Sequence, residues 1–346
     1  MWPYIVILFT IMLWIFSFKK VTGRNEIFIP IILLTILYSI RNYNVGTDTP
    51  AYVSKFMKSF DYNYYYFNPN VEYGYQLLEY LILGITHEYF LFFTLISLII
   101  IPLYILTINK VSVNYFYSIL IYFTFGFYTF FFNGLRQGIA MAICFSALPF
   151  LLQNNFFKYF LLVILASFFH ISALIMLPIY FIVNLKMKIE LKFLFILFAS
   201  ISLSQIIIEY LAQDNIRYEN YTQEVDNPGG YLTLFFYFSI AIFFYFSGIK
   251  NRKQDIKYSK MEQIFFLGLA IIMPISLLGT DPSGPQRLLY YFVSMVIFLL
   301  PYYINKYKNL YFNIGFFILC IIYFTLTTMR FSNLYPYQIN PIFGLF

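Results

Sequence analysis

Charged residues are scarce in this sequence, and their scarcity excludes a soluble globular protein. Asp, Glu, Lys and Arg make up only 11% of the 346 residues, whereas 61% are hydrophobic and the mean hydropathy is +0.73. A soluble domain carries about 25% charged residues. Apolar runs of about 15 to 20 residues recur along the chain, and each can cross the hydrocarbon core of a bilayer. We therefore expect an all-α, polytopic membrane protein, with about 10 to 12 transmembrane helices in a single transmembrane domain over residues 1–346.

Cysteine and histidine are nearly absent, with two residues of each. Cys144 and Cys320 lie within apolar runs, so we interpret them as packing residues rather than as a disulfide or as metal ligands. The sequence contains no Asp-x-Asp, His-x-x-Glu-His or Walker motif, so it predicts neither a protein-bound metal nor a nucleotide-driven pump. We expect no cofactor. The net charge of +7 resides mainly in basic loops and indicates contact with the lipid bilayer rather than with nucleic acid.

The basic loops predict an orientation for the chain. Lysine-rich loops stay in the cytoplasm, and following this rule puts the N-terminus outside and leaves a short outer tail from Thr328. The predicted outer loops are about 41–88, 211–230 and 280–287. The basic residues left outside are Lys55, Lys58, Arg41, Arg136, Arg217, Arg287 and Arg330. Arginine dominates this set, and its planar fork suits phosphate or carboxylate. The outer face is therefore expected to hold an anion, and chance in a small sample is the alternative.

Residues 156–184 do not follow the simple alternation of spans. They are apolar, but Ser167–Ser172 interrupts them, and Lys158 and Lys186 flank them. We expect a broken or re-entrant pair of short helices here, with His170 near the outer turn. One long helix is the alternative, and it would invert the orientation of every later segment.

Arg136 is the only charged residue between Lys110 and Lys158. An arginine in hydrocarbon costs from a few to roughly 10 kcal/mol or more, depending on the reference state. Gly134 and Gly138 flank it, so that a ligand or another segment of backbone can approach closely. One interpretation is a snorkelling arginine at the end of a helix. The other is a guanidinium that faces an anionic group, and the other outer arginines favour it.

Two polar segments of the first outer loop are further candidates. Asp48 lies in a segment with turn-forming residues, where it can accept hydrogen bonds from sugar hydroxyls or pair with Arg41. A self-satisfied turn at a helix end is the alternative. Glu72 stands among tyrosines, which suits carbohydrate but also an interfacial aromatic belt.

Two later segments complete the candidate site. The imidazole of His170 near the membrane surface can take a proton from a hydroxyl, although a lone buried histidine is also a common packing residue. Asp281 and Arg287 lie in a Gly/Pro-rich turn and offer another cation for a phosphate, with a salt bridge or a helix cap as the alternative.

Five segments together resemble the EpsG-like family of exopolysaccharide membrane proteins, which is related to the Wzy O-antigen and capsule polymerases. They follow one another across nearly the whole chain: Arg41–Tyr52, Glu72–Tyr75, Asn133–Ala140, Phe169–Ala173, and Arg287 with Tyr290-Tyr291-Phe292. The resemblance implies a multi-pass protein of the bacterial cytoplasmic membrane that polymerises undecaprenyl-diphosphate-linked oligosaccharides at its outer face. It also suggests a chain-length regulator as a partner. Loop 211–230 is shorter than the large loop of many Wzy proteins, so a mechanism that uses such a loop does not transfer.

The residues and the resemblance predict the same metal-independent glycosyl transfer. Arginines stabilise the diphosphate that leaves, while His170, or secondly Asp48, accepts the proton of the attacking sugar hydroxyl. We expect the substrate-binding residues to be Arg136, Arg287, Arg41, Glu72, Tyr52 and Asp281. A ligase that passes the glycan to another acceptor and a flippase for the lipid-linked unit remain as alternatives. A membrane O-acyltransferase is a third, less favoured alternative. It would need an acyl-donor site on the cytoplasmic side, and a cytoplasmic position of His170 would favour it.

Overall fold

The computed structural model describes residues 1–213, 231–277, 285–306 and 309–344, and its regular structure is helical. The described residues form 16 α-helices and no strand, which confirms the prediction of an all-α protein. The helices are α1 Trp2–Thr22, α2 Phe28–Ser39, α3 Thr49–Met57, α4 Tyr73–Leu83, α5 Tyr89–Val111, α6 Tyr115–Thr124, α7 Leu135–Leu152, α8 Phe156–Ser167, α9 Met176–Asn184, α10 Ile189–Gln213, α11 Tyr231–Ser247, α12 Ile249–Gln254, α13 Ile256–Leu277, α14 Leu289–Val293, α15 Val296–Ile304 and α16 Leu310–Arg330.

Five of the described helices are long and apolar enough to cross a membrane, which confirms a polytopic membrane protein. They are α1, α5, α7, α13 and α16. A sixth span would be formed by the pair Gln286–Val293 and Val296–Ile304, which is bent by 45° at a short break. Several apolar helices are shorter than a full span: α2, α6, α8 and α11, together with the segment Ile171–Asn184. The total of about 10 to 12 spans therefore stays a prediction.

The chain divides into two compact units. The first comprises Met1–Phe150, Phe157–Leu174 and Leu300–Phe346, and the second comprises Leu151–Phe156 and Ile175–Leu299. In the second unit, α13 packs against α9, α10, α11 and the 3-10 helix Pro285–Leu288.

Helix α13 also carries Glu262, which is fully buried and accepts two hydrogen bonds from the Arg252 guanidinium at 2.5 and 2.9 Å. A buried carboxylate needs such a partner, because an unpaired charge inside a protein is strongly destabilising.

Helix α5 runs through the core of the first unit, and the loops gather at its two ends. At its start, the ring of Tyr89 lies 6.5 Å from that of Tyr43, between centroids. Near its end, Asn109 accepts a hydrogen bond of 2.9 Å from Asn25. About 30 Å separates these two ends, since an α-helix rises about 1.5 Å per residue. The loop after α2 and the loop after α1 thus lie at opposite ends, as the orientation predicted from the basic residues requires.

The C-terminal segment, which follows α16, folds back and packs on the loop after α2. The backbone N–H of Asn42 donates to Gln338 O at 2.8 Å, and that of Asn340 donates to Ile40 O at 2.7 Å. Farther along the loop, Gly46 N–H donates to Asn333 O at 2.9 Å. These bonds satisfy backbone groups that a buried loop would otherwise leave unpaired. The sequence predicted only a short outer tail here.

Residues 156–184 do not form one long helix: α8 ends at Ser167 and α9 begins at Met176, so the apolar run is broken as the sequence predicted. The ring of Phe156, where α8 begins, lies 5.1 Å from Tyr180 and 5.2 Å from Phe181, near the end of α9. Helix α8 has 12 residues, or about 18 Å, and is shorter than the roughly 30 Å hydrocarbon core.

Candidate functional site

Arg136 lies in the first turn of α7, directly after a tight turn. The 3-10 helix Phe130–Phe132 ends at Asn133, and Gly134 leads into the helix. Arg136 is only 7% exposed, and its Nη1 donates to Glu72 Oε2 at 2.5 Å. A charge-assisted contact of this kind is about twice as strong as a neutral hydrogen bond. The single arginine of this apolar run is therefore neutralised by a carboxylate, and it does not simply snorkel to the surface.

Glu72 connects Arg136 to the histidine predicted as the base. It immediately precedes α4 and is largely buried, with 15% of its side chain exposed. While Oε2 contacts Arg136, Oε1 lies 3.8 Å from His170 Nε2. The structure thus brings three of the predicted site residues, from three distant parts of the sequence, around one carboxylate. We call Arg136, Glu72 and His170 the carboxylate cluster.

The ring of His170 is oriented by Ser172. The Ser172 hydroxyl oxygen lies 2.7 Å from His170 Nδ1, and the Ser172 backbone N–H donates to the same nitrogen at 3.3 Å. Because Nδ1 accepts this N–H, the neutral ring carries its proton on Nε2, the nitrogen that faces Glu72. A hydroxyl on one nitrogen and a carboxylate facing the other is an arrangement that suits proton transfer, since the carboxylate stabilises the imidazolium that forms.

Gly74 joins the first turn of α4 to the break that carries His170. Its backbone N–H donates to Phe168 O at 2.8 Å. A Cβ atom at this position would lie only 2.7 Å from the same oxygen and 3.0 Å from the Phe168 carbonyl carbon. Only glycine allows this approach without a shift of the backbone. The contact therefore fixes Glu72, two residues earlier, relative to His170, two residues after Phe168.

Two tyrosines complete the surroundings of Arg136. The Tyr75 ring centroid lies 5.9 Å from Arg136 Cζ, and the Tyr52 ring lies 6.1 Å from the Tyr75 ring. Tyr52 is also a hydrogen-bond partner of Arg136. Tyr75 is buried, and its hydroxyl has no hydrogen-bond partner within the described part of the chain. Burial and nearby Glu79 raise the pKa of Tyr75, so it stays protonated and can act as a hydrogen-bond donor.

Asp48 lies close to the cluster through Asn133. Asn133 Oδ1 accepts a hydrogen bond of 3.2 Å from the Asp48 backbone N–H, and Thr49 Oγ1 donates to Phe132 O at 3.1 Å. Asn133 Nδ2 in turn donates to Ser332 O at 3.0 Å, which ties the C-terminal segment to the same turn. The loop that carries Asp48 is therefore packed directly against the turn that precedes Arg136.

Arg41 does not join the carboxylate cluster. It is fully buried, and its Cζ lies 3.8 Å, 4.0 Å and 4.4 Å from the ring centroids of Tyr38, Phe93 and Phe132. Cation–π contacts of this kind stabilise a desolvated guanidinium. Phe132 belongs to the turn before Arg136, so Arg41 acts on the cluster through packing. Its predicted contact with substrate stays untested, and this burial favours a positioning role.

Arg287 is the remaining predicted residue that the structure describes. Arg287 lies in the 3-10 helix Pro285–Leu288, half-buried near Tyr290. Asp281 lies outside the described residues. Among the described residues, no group of three or more His, Cys, Asp or Glu side chains is arranged to hold a metal ion. The shared role of Arg287 and Arg136 stays a prediction.

Helix contacts show how deep the cluster lies in the first unit. Helices α5 and α7 run side by side in the same direction, since the Tyr104 and Phe145 rings are 4.6 Å apart and Lys110 Nζ lies 5.7 Å from the Phe150 ring. Along α7, Arg136 lies 14 residues before Phe150, or about 21 Å. Along α5, the distance from Lys110 back to the first residue of the helix is about 30 Å. The cluster is therefore recessed by roughly 10 Å below the start of α5.

The profile of the EpsG family matches residues 24–339, nearly the whole chain. The chain belongs to the EpsG family. Comparison with curated proteins and with solved structures gave no match. The EpsG family consists of exopolysaccharide membrane proteins linked to Wzy-like polymerases, so this is a multi-pass membrane protein of exopolysaccharide biosynthesis. The matched residues include the carboxylate cluster, the Arg41–Tyr52 segment and Arg287.

This EpsG family protein also has site residues that the sequence reasoning missed. Glu79 is buried on α4, and it accepts hydrogen bonds from Lys55 Nζ at 2.6 Å and from the Tyr65 hydroxyl at 2.5 Å. Burial and this hydrogen bond raise the pKa of Tyr65. Glu79 follows Glu72 by seven residues, or two helical turns, so the spacing alone places both carboxylates on one helix face. Ser172 was missed as well, although it stands two residues from His170.

Proposed function

We propose that this EpsG family protein is a polysaccharide polymerase. In this proposal it joins undecaprenyl-diphosphate-linked oligosaccharide units at the outer face of the cytoplasmic membrane. The observation that carries the proposal is the carboxylate cluster, in which Glu72 lies between the Arg136 guanidinium and the His170 imidazole. An anion-binding cation and a proton acceptor, held on one carboxylate, are the two groups that glycosyl transfer from a lipid diphosphate requires.

Arg136 supplies the positive charge for the leaving group. A guanidinium has five N–H donors, and the hydrogen bond to Glu72 uses Nη1. Arg136 can therefore keep its contact with Glu72 while other N–H groups bind a phosphate oxygen. Because the site is largely buried, this electrostatic stabilisation is stronger than it would be in water. Arg287 is the second arginine that we assign to the diphosphate.

His170 accepts the proton of the attacking hydroxyl. The Ser172 hydroxyl, 2.7 Å from His170 Nδ1, shows that a hydroxyl fits on this nitrogen. A sugar hydroxyl can take that place. Glu72 then stabilises the imidazolium from the Nε2 side, as a positioning residue. Asp48 is the second candidate for the base.

The transfer step follows from these roles. The hydroxyl oxygen of the incoming lipid-linked unit attacks C1 at the reducing end of the growing chain, and a new glycosidic bond forms there. The bond between C1 and the diphosphate oxygen breaks, and the bonding pair leaves with undecaprenyl diphosphate. The hydroxyl proton goes to His170. Positive charge develops at C1, as in glycoside hydrolysis, and negative charge develops on the leaving oxygen next to Arg136.

The depth of the cluster also supports a lipid-linked substrate. It lies roughly 10 Å below the start of α5, which is within the length of a membrane-spanning helix. The diphosphate of a polyisoprenoid carrier lies at the boundary between the hydrocarbon and the headgroups. A recessed cation reaches this group without requiring the lipid to leave the bilayer. In this proposal the substrate oligosaccharide extends outward, over the loops around Asp48 and Glu72.

The experiment that tests this function is gel analysis of surface polysaccharide from cells that lack the gene. The cells are complemented with wild type, with Arg136→Ala or with Arg330→Ala. Arg330 is an exposed arginine at the end of α16, so it controls for the loss of one outer cation. We expect a ladder with wild type and Arg330→Ala, and a single repeat unit with Arg136→Ala and in the deleted strain. Loss of all surface glycan, including the single unit, would instead indicate export or ligation.

A further inference from the structure

A groove at the opposite end of the first unit from the carboxylate cluster has no part in the proposed reaction. It has a volume of about 550 Å³ and lies among α1, α6 and α16. Phe16, Ile314 and Phe317 belong to its apolar lining. Helices α1 and α16 are the least buried of the five candidate spans, with 22% and 11% of their apolar windows inside the protein. In a membrane, the groove therefore opens toward lipid.

The mouth of the groove is positively charged. Lys19 and Lys20, in the last turn of α1, lie on its lining. Helices α6 and α16 both begin there, at Tyr115 and Leu310. The start of a helix carries a partial positive charge, which favours an anion. The side chains of Asn114 and Asn309 cap these starts by accepting the N–H groups of Tyr117 and Tyr311. Two ammonium groups and two helix starts thus converge on one apolar groove.

Asn313 also lines the groove, but its Oδ1 is enclosed by the protein and is not open to a ligand. The groove therefore combines a positively charged mouth, which suits an anion, with an apolar lining, which suits an acyl chain.

We propose that this groove binds one anionic glycerophospholipid of the phosphatidylglycerol type. Its phosphate lies between Lys19, Lys20 and the two helix starts. An acyl chain follows Phe16 and Ile314 along the exposed faces of α1 and α16. Basic pockets between transmembrane helices on the cytoplasmic side commonly bind such headgroups. The proposal is independent of the proposed enzymatic activity.

Native mass spectrometry of the detergent-solubilised full chain tests this proposal. The protein is titrated with phosphatidylglycerol, and with phosphatidylcholine as a neutral lipid of the same chain length. We expect one phosphatidylglycerol to bind at least tenfold more tightly than phosphatidylcholine. Lys19→Gln with Lys20→Gln should abolish this preference, because each lysine near an anionic lipid contributes about 1 kcal/mol. The matched control, Lys250→Gln with Lys253→Gln, removes two exposed lysines of the second unit and should leave it unchanged.

A second variant distinguishes lipid binding in the groove from attraction of the lipid to surface charge alone. Ile314→Trp fills the groove from an exposed position and keeps both lysines. We expect the same loss of bound phosphatidylglycerol. Equal binding of both lipids to wild type, full binding by the double glutamine variant, or full binding by Ile314→Trp would each overturn the proposal. Tighter binding of undecaprenyl phosphate than of phosphatidylglycerol would assign the groove to the carrier lipid and would also overturn it.

Discussion

Arg136 and His170 approach the same carboxylate from two sides, and this arrangement determines what each residue can do. Glu72 neutralises Arg136 in a buried position, with Nη1–Oε2 at 2.5 Å. It also faces His170 Nε2 at 3.8 Å. The two residues therefore differ in how a conservative substitution should act. For Arg136 the shape of the charged group matters, whereas for His170 the ability to take a proton matters.

Substitution of Arg136 with lysine should be nearly as damaging as substitution with alanine. Lysine keeps the charge but loses the fork that contacts Glu72, Tyr52 and a phosphate at the same time. We expect the rate of chain extension to fall by on the order of 100-fold, as for loss of a donor that stabilises a developing oxyanion. The measurement is the ladder of surface polysaccharide at matched protein levels in the membrane. A normal ladder with Arg136→Lys would show that charge alone suffices.

Replacement of His170 by glutamine should stop extension while Ser172→Ala should not. Glutamine keeps a polar side chain but cannot accept a proton, and loss of a general base costs about 100-fold or more. Ser172→Ala removes the neighbouring hydroxyl at 2.7 Å and leaves the imidazole in place. Both variants are compared by ladder length and by abundance in the membrane. Full-length product with His170→Gln would exclude His170 as the base and would favour Asp48.

Two short elements position the cluster, and neither is long enough to be an ordinary membrane span. Helix α4 has 11 residues and helix α8 has 12. They meet where Gly74 N–H donates to Phe168 O at 2.8 Å. Short apolar helices gain little stability by themselves, so this contact and the surrounding packing determine their positions. The geometry between Glu72 and His170 consequently depends on one close approach of two backbones.

Gly74→Ala should therefore push α4 away from the end of α8. The new Cβ would lie 2.7 Å from Phe168 O, and because that atom belongs to the backbone it cannot move aside cheaply. We expect a loss of about 1–3 kcal/mol in stability from overpacking, together with a shortened ladder. Gly315→Ala is the matched control, because no atom lies within 4 Å of its new Cβ. The melting temperature in detergent measures both variants. An equal melting temperature for Gly74→Ala and wild type would contradict the close packing.

The loops and helix ends of the first unit form two groups, one at each end of α5. The loop after α2, the C-terminal segment and the carboxylate cluster lie toward the start of α5, while the loop after α1 lies at its other end. The distribution of basic residues predicts that the first group faces the outside. This orientation is what a polymerase of exported sugar units requires, and it is open to a direct labelling test.

Single cysteines should report this orientation. Cys144 and Cys320 are buried, and replacing both with alanine gives a background without reactive thiols. Lys58→Cys and Arg24→Cys then introduce exposed thiols in the two groups of loops. We expect a membrane-impermeant maleimide to label Lys58→Cys in intact cells, and Arg24→Cys only after permeabilisation. The reverse pattern would place the carboxylate cluster in the cytoplasm and would contradict polymerisation at the outer face.

Composition and motifs were enough to predict the class of the protein, and they named the candidate residues of its site. Hydropathy and charge predicted an all-α membrane protein, because a chain with 11% charged residues cannot form a soluble surface. The five motifs predicted the EpsG family, which the match over residues 24–339 confirms. Arg136 and His170 stood out because an ionisable residue in an apolar run is costly and is retained for a reason. These are properties of composition and local order, which a sequence carries directly.

Which of these residues contact one another became clear only from the folded chain. Glu72, Arg136 and His170 are separated by more than 30 residues in sequence, and nothing local indicates that one carboxylate serves both other groups. Arg41 was predicted to assist Arg136 in binding substrate, yet it is enclosed by three aromatic rings, while Arg136 contacts a carboxylate. The return of the C-terminal segment onto Asn42 and Gly46 was equally unforeseen. The physical reason is that long-range packing and pairing of buried backbone groups decide these contacts, and neither leaves a periodic signal in the sequence.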